Sequence, residues 1–324
     1  MAYLVTGAAG FIGFHVASAL LERGETVYGI DNLNGYYSVK LKKARLSRLQ
    51  TSRKFDFAEI DIADSEALNA FASGKPIARI IHLAAQAGVR YSLENPGSYV
   101  QSNLVGHVNM LELARHTAGL EHMLYASSSS IYGGRADMPF LETDRADNPI
   151  SLYAATKKSN ELMSHTYAHL YGIALTGLRF FTVYGPWGRP DMAYYSFTRK
   201  ILSGDQIEVF NNGDMLRDFT YVDDIVEGIL RIAEQGPIER DGPPHGIYNI
   251  GNNHPEKLED FIAILEDELG MKANRKNLPM QPGDVPVTAA DITAIQHDYG
   301  FEPKTRLRQG LRSFIRWYRQ YHTS

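Results

Sequence analysis

The chain has 324 residues, 44% of them hydrophobic and 22% charged, which supports an ordinary folded core and excludes wholesale disorder. Its 33 Lys and Arg against 37 Asp and Glu leave a net charge of −4, which argues against a nucleic-acid binder working through a basic field. Cysteine is absent, so disulfide scaffolds, thiol nucleophiles and cysteine-based metal sites are excluded. The first seven residues lack a basic region and run into a glycine cluster, so no signal peptide is expected. No apolar run approaches the roughly 20 residues of a membrane span. The expectation is a cytoplasmic protein with neither membrane nor nucleic-acid partners.

In chain order, residues 3–6 read as a buried strand, Phe11–Glu22 as a helix and Thr26–Asp31 as a second strand. Tyr36 and Tyr37 read as loop packing, and residues 38–50, rich in Lys and Arg, as an amphipathic helix with a solvated face. Further strands are expected at 80–84, 122–128 and 174–181. Asn95 caps a helix with Pro96 at its first position, running to about His116. Ser151 caps another that ends near Gly172. Near-continuous apolar strands alternating with helices imply parallel β-α-β units covered on both faces, a Rossmann-type doubly wound α/β sheet. Beyond about residue 185 prolines interrupt the pattern, and a smaller, looser α/β domain is expected there.

Gly7-Ala8-Ala9-Gly10-Phe11-Ile12-Gly13 follows the first strand and opens the first helix. Small residues there let backbone N–H groups approach a pyrophosphate, with the positive end of the helix behind them. Asp31 ends the second strand, where a carboxylate accepts hydrogen bonds from ribose hydroxyls and repels a 2′-phosphate, favouring NAD over NADP. The expected division is an NAD-binding domain over 1–184, to which a segment around 215–235 returns, and a mainly substrate-binding domain over 185–324. The eleven histidines show no spacing with a credible acidic third ligand, so no metal site is expected.

The spacing Gly-x-x-Gly-x-x-Gly, together with Tyr153-Ala-Ala-Thr-Lys157, resembles the extended short-chain dehydrogenase/reductase superfamily. Asp61-Ile62, residues 82–85, Asn103, Ser127-Ser128 and residues 217–224 extend the match to the nucleotide-sugar epimerase and dehydratase branch. Within it, residues 84–92 and 179–192 are most similar to UDP-glucuronate 4-epimerases. The resemblance implies that Asn32, Asp61, Ile62, Leu83, Ala84, Ala85 and Gln86 join the glycine loop and Asp31 in holding NAD. It implies a UDP-sugar substrate, with Val209 and Asn211 near the uracil and Arg217 and Asp284 on the UDP. Arg90 faces cofactor or substrate phosphate, or holds its loop. The helices after Pro96 and Ser151 supply a homodimer face in resembling proteins, with Leu104, Val108, Leu111, Leu162 and Met163 as its apolar candidates.

Tyr153 and Lys157, four apart, share one helical face, and a neighbouring ammonium favours the phenolate. Tyr153 is therefore the candidate base and Lys157 the group that lowers its pKa, and the spacing in the resembling family implies that Ser128 is the hydroxyl on the same substrate oxygen. Resembling dehydratases carry Asp-Glu at the positions of Ser129 and Ser130, and resembling decarboxylases carry Glu at that of Ser130. Neither carboxylate is here, which leaves oxidation, rotation and re-reduction. The serines, with Thr182 and Arg189, are expected to hold a substrate carboxylate by charge-assisted hydrogen bonds. UDP-glucuronate decarboxylase, UDP-glucose 4-epimerase and a non-catalytic NAD-binding sensor are the alternatives.

Overall fold

Ala2–Thr6 (β1) is buried along its whole length, as a strand covered on both faces must be. Phe11–Glu22 (α1) carries the chain to Thr26–Asp31 (β2), and Val39–Leu49 (α2) leads to Phe55–Glu59 (β3). Ser65–Ala72 (α3) returns it to Arg79–His82 (β4). Tyr91–Glu94 (α4), Pro96–Tyr99 (α5), a π-helical segment Val100–Val105 and Gly106–His116 (α6) precede His122–Ser128 (β5). Leu152–Tyr171 (α7) and Leu175–Phe180 (β6) complete the alternating part. Then come Thr182–Tyr184 (β7), Ala193–Ser203 (α8), Gln206–Val209 (β8), Leu216–Tyr221 (β9) and Val222–Gln235 (α9). His245–Ile250 (β10), Pro255–Lys257 (β11), Leu258–Leu269 (α10), Asn274–Asn277 (β12), Thr293–Tyr299 (α11) and Leu307–Thr323 (α12) follow. This computed structural model describes residues 1–135, 137–239, 241–280 and 285–323.

Seven strands form one parallel sheet in the order β10-β6-β5-β4-β1-β2-β3. The order reverses between β1 and β4, and a crevice opens beyond the carboxyl ends of strands at such a point. A three-stranded sheet, β11-β9-β7, and a parallel pair, β12-β8, lie outside it. Among the described residues no helix is long and apolar enough to cross a membrane.

The departures from the sequence reading are local. The strand expected at 80–84 stops at His82, and Leu83 to Ala87 form an irregular stretch along the crevice wall. The helix expected from Pro96 to His116 is interrupted by the π-helical segment, in which Asn103 is buried. Asn103 uses its amide twice on Gln86, accepting from its N–H at 2.8 Å and donating to its carbonyl at 3.0 Å. In the later part of the chain β10 joins the large sheet, β9 lies in the three-stranded sheet, and α9 packs against α1. The helix α2 is not simply a solvated face, since Lys42 and Arg45 turn inward and are buried.

The sheet's second half is braced by a buried ion pair. Arg179 donates from Nε and Nη2 to the two carboxylate oxygens of Glu161, each at 2.9 Å, and Ser127 adds a third bond at 2.6 Å. Burial pushes the Glu161 carboxyl up, but the Arg179 guanidinium outweighs it and holds the group below its ordinary value. Glu161→Ala would leave a buried guanidinium without its partner. Urea unfolding should show a loss of about 3–5 kcal/mol.

Candidate active site

The crevice is lined by the turn after β1, the end of β2, the stretch after β4, the end of β5, the first turn of α7, and residues around Phe181 and Arg189. Gly7 sits at φ +70°, and a Cβ there would come within 2.9 Å of the Ala84 N. One on Gly13 would lie 2.1 Å from the Gly7 carbonyl oxygen. The glycines thus let β1 turn into α1 under the loop that follows β4. Gly10 precedes α1 in extended conformation and supplies no side-chain cap, so the first-turn N–H groups lack intrahelical partners and are suited to an anion.

Asp31 also lines the crevice. Its two oxygens accept from Ala9 N–H at 3.1 Å and Leu33 N–H at 2.8 Å, and a carboxylate keeps further lone pairs for ribose hydroxyls. Burial pushes its carboxyl up, with Lys42 the largest opposing influence. Asn32 donates to Asp61 at 2.9 Å, and Ile60 and Ile62 supply apolar wall. An open set of helix-start N–H groups, a carboxylate with lone pairs to spare and an apolar flank fit a dinucleotide.

At the other end Tyr153 and Lys157 stand in the first two turns of α7, whose start is capped by Ser151 accepting from the Ala154 N–H at 3.1 Å. Burial pushes the Tyr153 phenol up from its ordinary value, while a hydrogen bond with Ser128 and the charge of Arg189 pull it back. Lys157 donates to the Ala126 carbonyl at 2.8 Å and is itself pushed down to about 8 by burial. Arg189 thus adds a cationic influence on the phenol that the Tyr153–Lys157 spacing does not reveal.

Gly7, Gly10, Phe11, Ile12, Gly13, Asp31, Asn32, Ile62, Leu83, Ala84, Ala85, Gln86, Ser128, Tyr153, Lys157 and Arg189 all line the crevice. Ser129 and Ser130 form a short turn behind Ser128, whose hydroxyl accepts from the Ser130 N–H at 3.2 Å. Thr182 opens β7 and is partly buried. Val209, Asn211, Arg217 and Arg90 are not among the residues lining this crevice. Val209 is wholly buried in the core. Asn211 donates to the Asp214 carbonyl at 2.6 Å, Arg217 to the Leu216 and Pro286 carbonyls at 3.0 Å, and Arg90 lies 4.9 Å from the Phe210 ring centroid. Asp284 falls outside the described residues. Tyr36, Tyr37 and Lys42 are among the lining residues that escaped the sequence reading. A tyrosine pair in a loop beside a basic helix carries no distinguishing pattern until the loop folds over the crevice.

A lysine whose folded-state pKa lies below its unfolded value destabilises most where both states would be charged, below about pH 8 here. That cost fades as pH rises towards the unfolded value near 10.4. The stability difference between cofactor-free parent and Lys157→Met, read from urea unfolding, should therefore move in the parent's favour between pH 7 and pH 10, by on the order of 2 kcal/mol.

Comparison with known proteins accords with this geometry. Residues 3–251 match the NAD dependent epimerase/dehydratase family. UDP-glucuronate 4-epimerase 2 of Arabidopsis thaliana is 49% identical over 330 residues, covering 98% of this chain and 76% of that one. A crystal structure of UDP-glucuronic acid 4-epimerase from Bacillus cereus, in complex with UDP-glucuronic acid and NAD, superimposes with a TM-score of 0.90. It is 33% identical, with 99% of this chain and 100% of that chain covered. UDP-glucose 4-epimerase from Thermotoga maritima, solved with UDP-glucose, gives a TM-score of 0.89 at 30% identity, with 99% and 100% covered. A doubly wound sheet, an open glycine turn beside the Asp31 carboxylate, and a match over most of the chain agree: the chain belongs to the NAD dependent epimerase/dehydratase family.

Proposed function

We propose that this protein is a UDP-glucuronate 4-epimerase, interconverting UDP-glucuronate and UDP-galacturonate through a transient 4-keto sugar. The observation that carries the reading is the Tyr153–Ser128 pair on a crevice wall that also holds Arg189 and has serine, not a carboxylate, at positions 129 and 130. The similarity to UDP-glucuronate 4-epimerases supports it.

The glycine turn and the first N–H groups of α1 would hold the pyrophosphate of NAD, Asp31 the adenosine ribose, and Lys157 the reactive end, since two of its three N–H donors remain beyond the Ala126 bond. NAD bound there supplies a two-electron hydride acceptor that later gives the hydride back. Tyr153 Oη, starting as the phenolate that the positive charges of Lys157 and Arg189 favour, takes the proton of the C4 hydroxyl, and the Ser128 hydroxyl donates to the same C4 oxygen as it becomes a carbonyl. Tyr153 returns its proton when the other face of C4 is reduced, so the reaction closes with no net change in protons or electrons. Arg189, Thr182 and the serine turn hold the substrate carboxylate. That restraint matters because a 4-keto uronate is a β-keto acid, and it loses carbon dioxide when its carboxylate leaves the plane that opposes C–C cleavage. No acid or base stands at 129 or 130 to assist elimination.

The UDP would lie towards Arg90, Asn211 and Arg217. A second copy of the chain would dock on the outer faces of α6 and α7, where Leu162 and Leu170 are about 60% exposed (59% and 60%). Leu111 belongs instead to the protein's own core, which corrects its place among the dimer candidates.

Proton NMR of the purified protein with UDP-glucuronate should show UDP-galacturonate growing in without pentose signals. Pentose products would mean decarboxylation, and no change after NAD is added would mean another sugar nucleotide or no turnover. Tyr153→Phe should lower the rate by about 10²–10⁴-fold while calorimetry still shows UDP-sugar binding. Light scattering of Leu162→Glu should report a smaller assembly than the parent.

A further inference from the structure

Arg189 and Asp191 form a two-pronged ion pair at the rim of the crevice. Arg189 donates from Nε to Asp191 Oδ1 at 3.1 Å and from Nη2 to Oδ2. The Tyr36 hydroxyl, from the loop after β2, donates to the same Oδ2 at 3.1 Å. The Arg189 N–H is itself anchored on the buried Tyr194 hydroxyl at 3.2 Å. The two charged side chains are 22% and 30% exposed, so the pair is only partly hydrated. Arg189 and Tyr36 both line the crevice, and with Nε and Nη2 engaged, Nη1 is the edge left for a substrate.

An arginine that binds a carboxylate from a partly dehydrated site makes charge-assisted hydrogen bonds, roughly twice as strong as neutral ones. The 4-keto sugar must nevertheless leave its first pose and present the other face of C4 to the same cofactor. A group that holds the first pose too firmly deepens the ground state and slows that turn. Asp191 makes the Arg189 site neutral as a pair while leaving the Nη1 donors open.

We propose, resting on the uronate reading above, that Asp191 is a counter-ion that moderates the hold of Arg189 on the substrate carboxylate so that the 4-keto sugar can turn over. Tyr36 keeps Asp191 in that position. Asp191 is thus a positioning residue that acts through Arg189 rather than on the sugar.

The test compares the NAD-loaded parent, D191N, D191E, R189Q and the double variant R189Q/D191N on UDP-glucuronate, with melting temperature and NAD content checked for each. D191N should lower KM several-fold and lower kcat by about tenfold, a split that marks a ground state held too tightly. D191E, which keeps the charge, should return both towards parent values. In the R189Q background D191N should change neither by more than about twofold, because the group it moderates is gone. A raised KM in D191N, or an equal loss with and without Arg189, would overturn the proposal in favour of a purely structural role. Should D191N not fold, calorimetry on the parent decides. A preference for UDP-glucuronate over UDP-glucose within about tenfold fits a moderated grip, whereas about a hundredfold, the scale of an unmoderated charged hydrogen bond, overturns it. If the parent fails to convert UDP-glucuronate at all, the functional reading fails before the role of Asp191 is reached.

Discussion

Between Thr6 and Phe11 the chain must turn from β1 into α1 while the loop after β4 passes directly against it. A side chain on Gly7 would collide with the backbone at Ala84, and one on Gly13 with the Gly7 carbonyl. That close passage determines the rest of the cofactor crevice. It leaves the first-turn N–H groups of α1 uncapped, brings Leu83 to Gln86 along one wall, and lets Asn103 fasten Gln86 from the π-helical segment. The reversal of strand order between β1 and β4 supplies the opening, and the glycines supply the clearance that makes it usable.

Buried charge is the second organising feature. Arg45 is fully buried on α2, yet its guanidinium donates to the Ala9 carbonyl and the Tyr37 hydroxyl, each at 2.8 Å, and to the Trp187 carbonyl at 3.1 Å. One side chain therefore ties the glycine turn, the loop after β2 and the loop that leads to Arg189. Lys42, one turn earlier, donates at 2.9 Å to both oxygens of Asn34 and opposes the effect of burial on Asp31. Satisfying a buried guanidinium with carbonyl oxygens is costly to disrupt, so these loops keep their relation to one another. The same logic holds below the reactive end, where Arg179 and Glu161 brace β5, β6 and α7 under Ser128 and Lys157.

Much of the site was legible because its chemistry is local. The glycine turn, Asp31 and the Tyr153–Lys157 spacing each lie within a single β-α unit, where periodicity and capping determine which way side chains point. The misreadings have a common cause. Lys42 and Arg45 belong to a helix whose composition looks like a solvated face, but the loop after β2 takes up Lys42 and the loop around Trp187, far along the chain, takes up Arg45. Arg189, 36 residues beyond Tyr153 in number, reaches the same crevice only once the chain has folded back on itself. Leu111 has the periodicity of an interface residue and is buried in the protein's own core.

The alternation of strands and helices, the glycine turn, an acidic residue at the end of β2 and the absence of carboxylates at 129 and 130 are all readable from the residues alone, because each depends on neighbours within a few residues. Tertiary structure alone decided that β10 completes the large sheet, that Tyr36 and Lys42 line the crevice, and that Arg189 arrives already paired with Asp191. These contacts join segments tens to more than a hundred residues apart or depend on how a loop is anchored from outside itself. No local pattern encodes which carbonyl or carboxylate a long cationic side chain meets once the chain has closed around it.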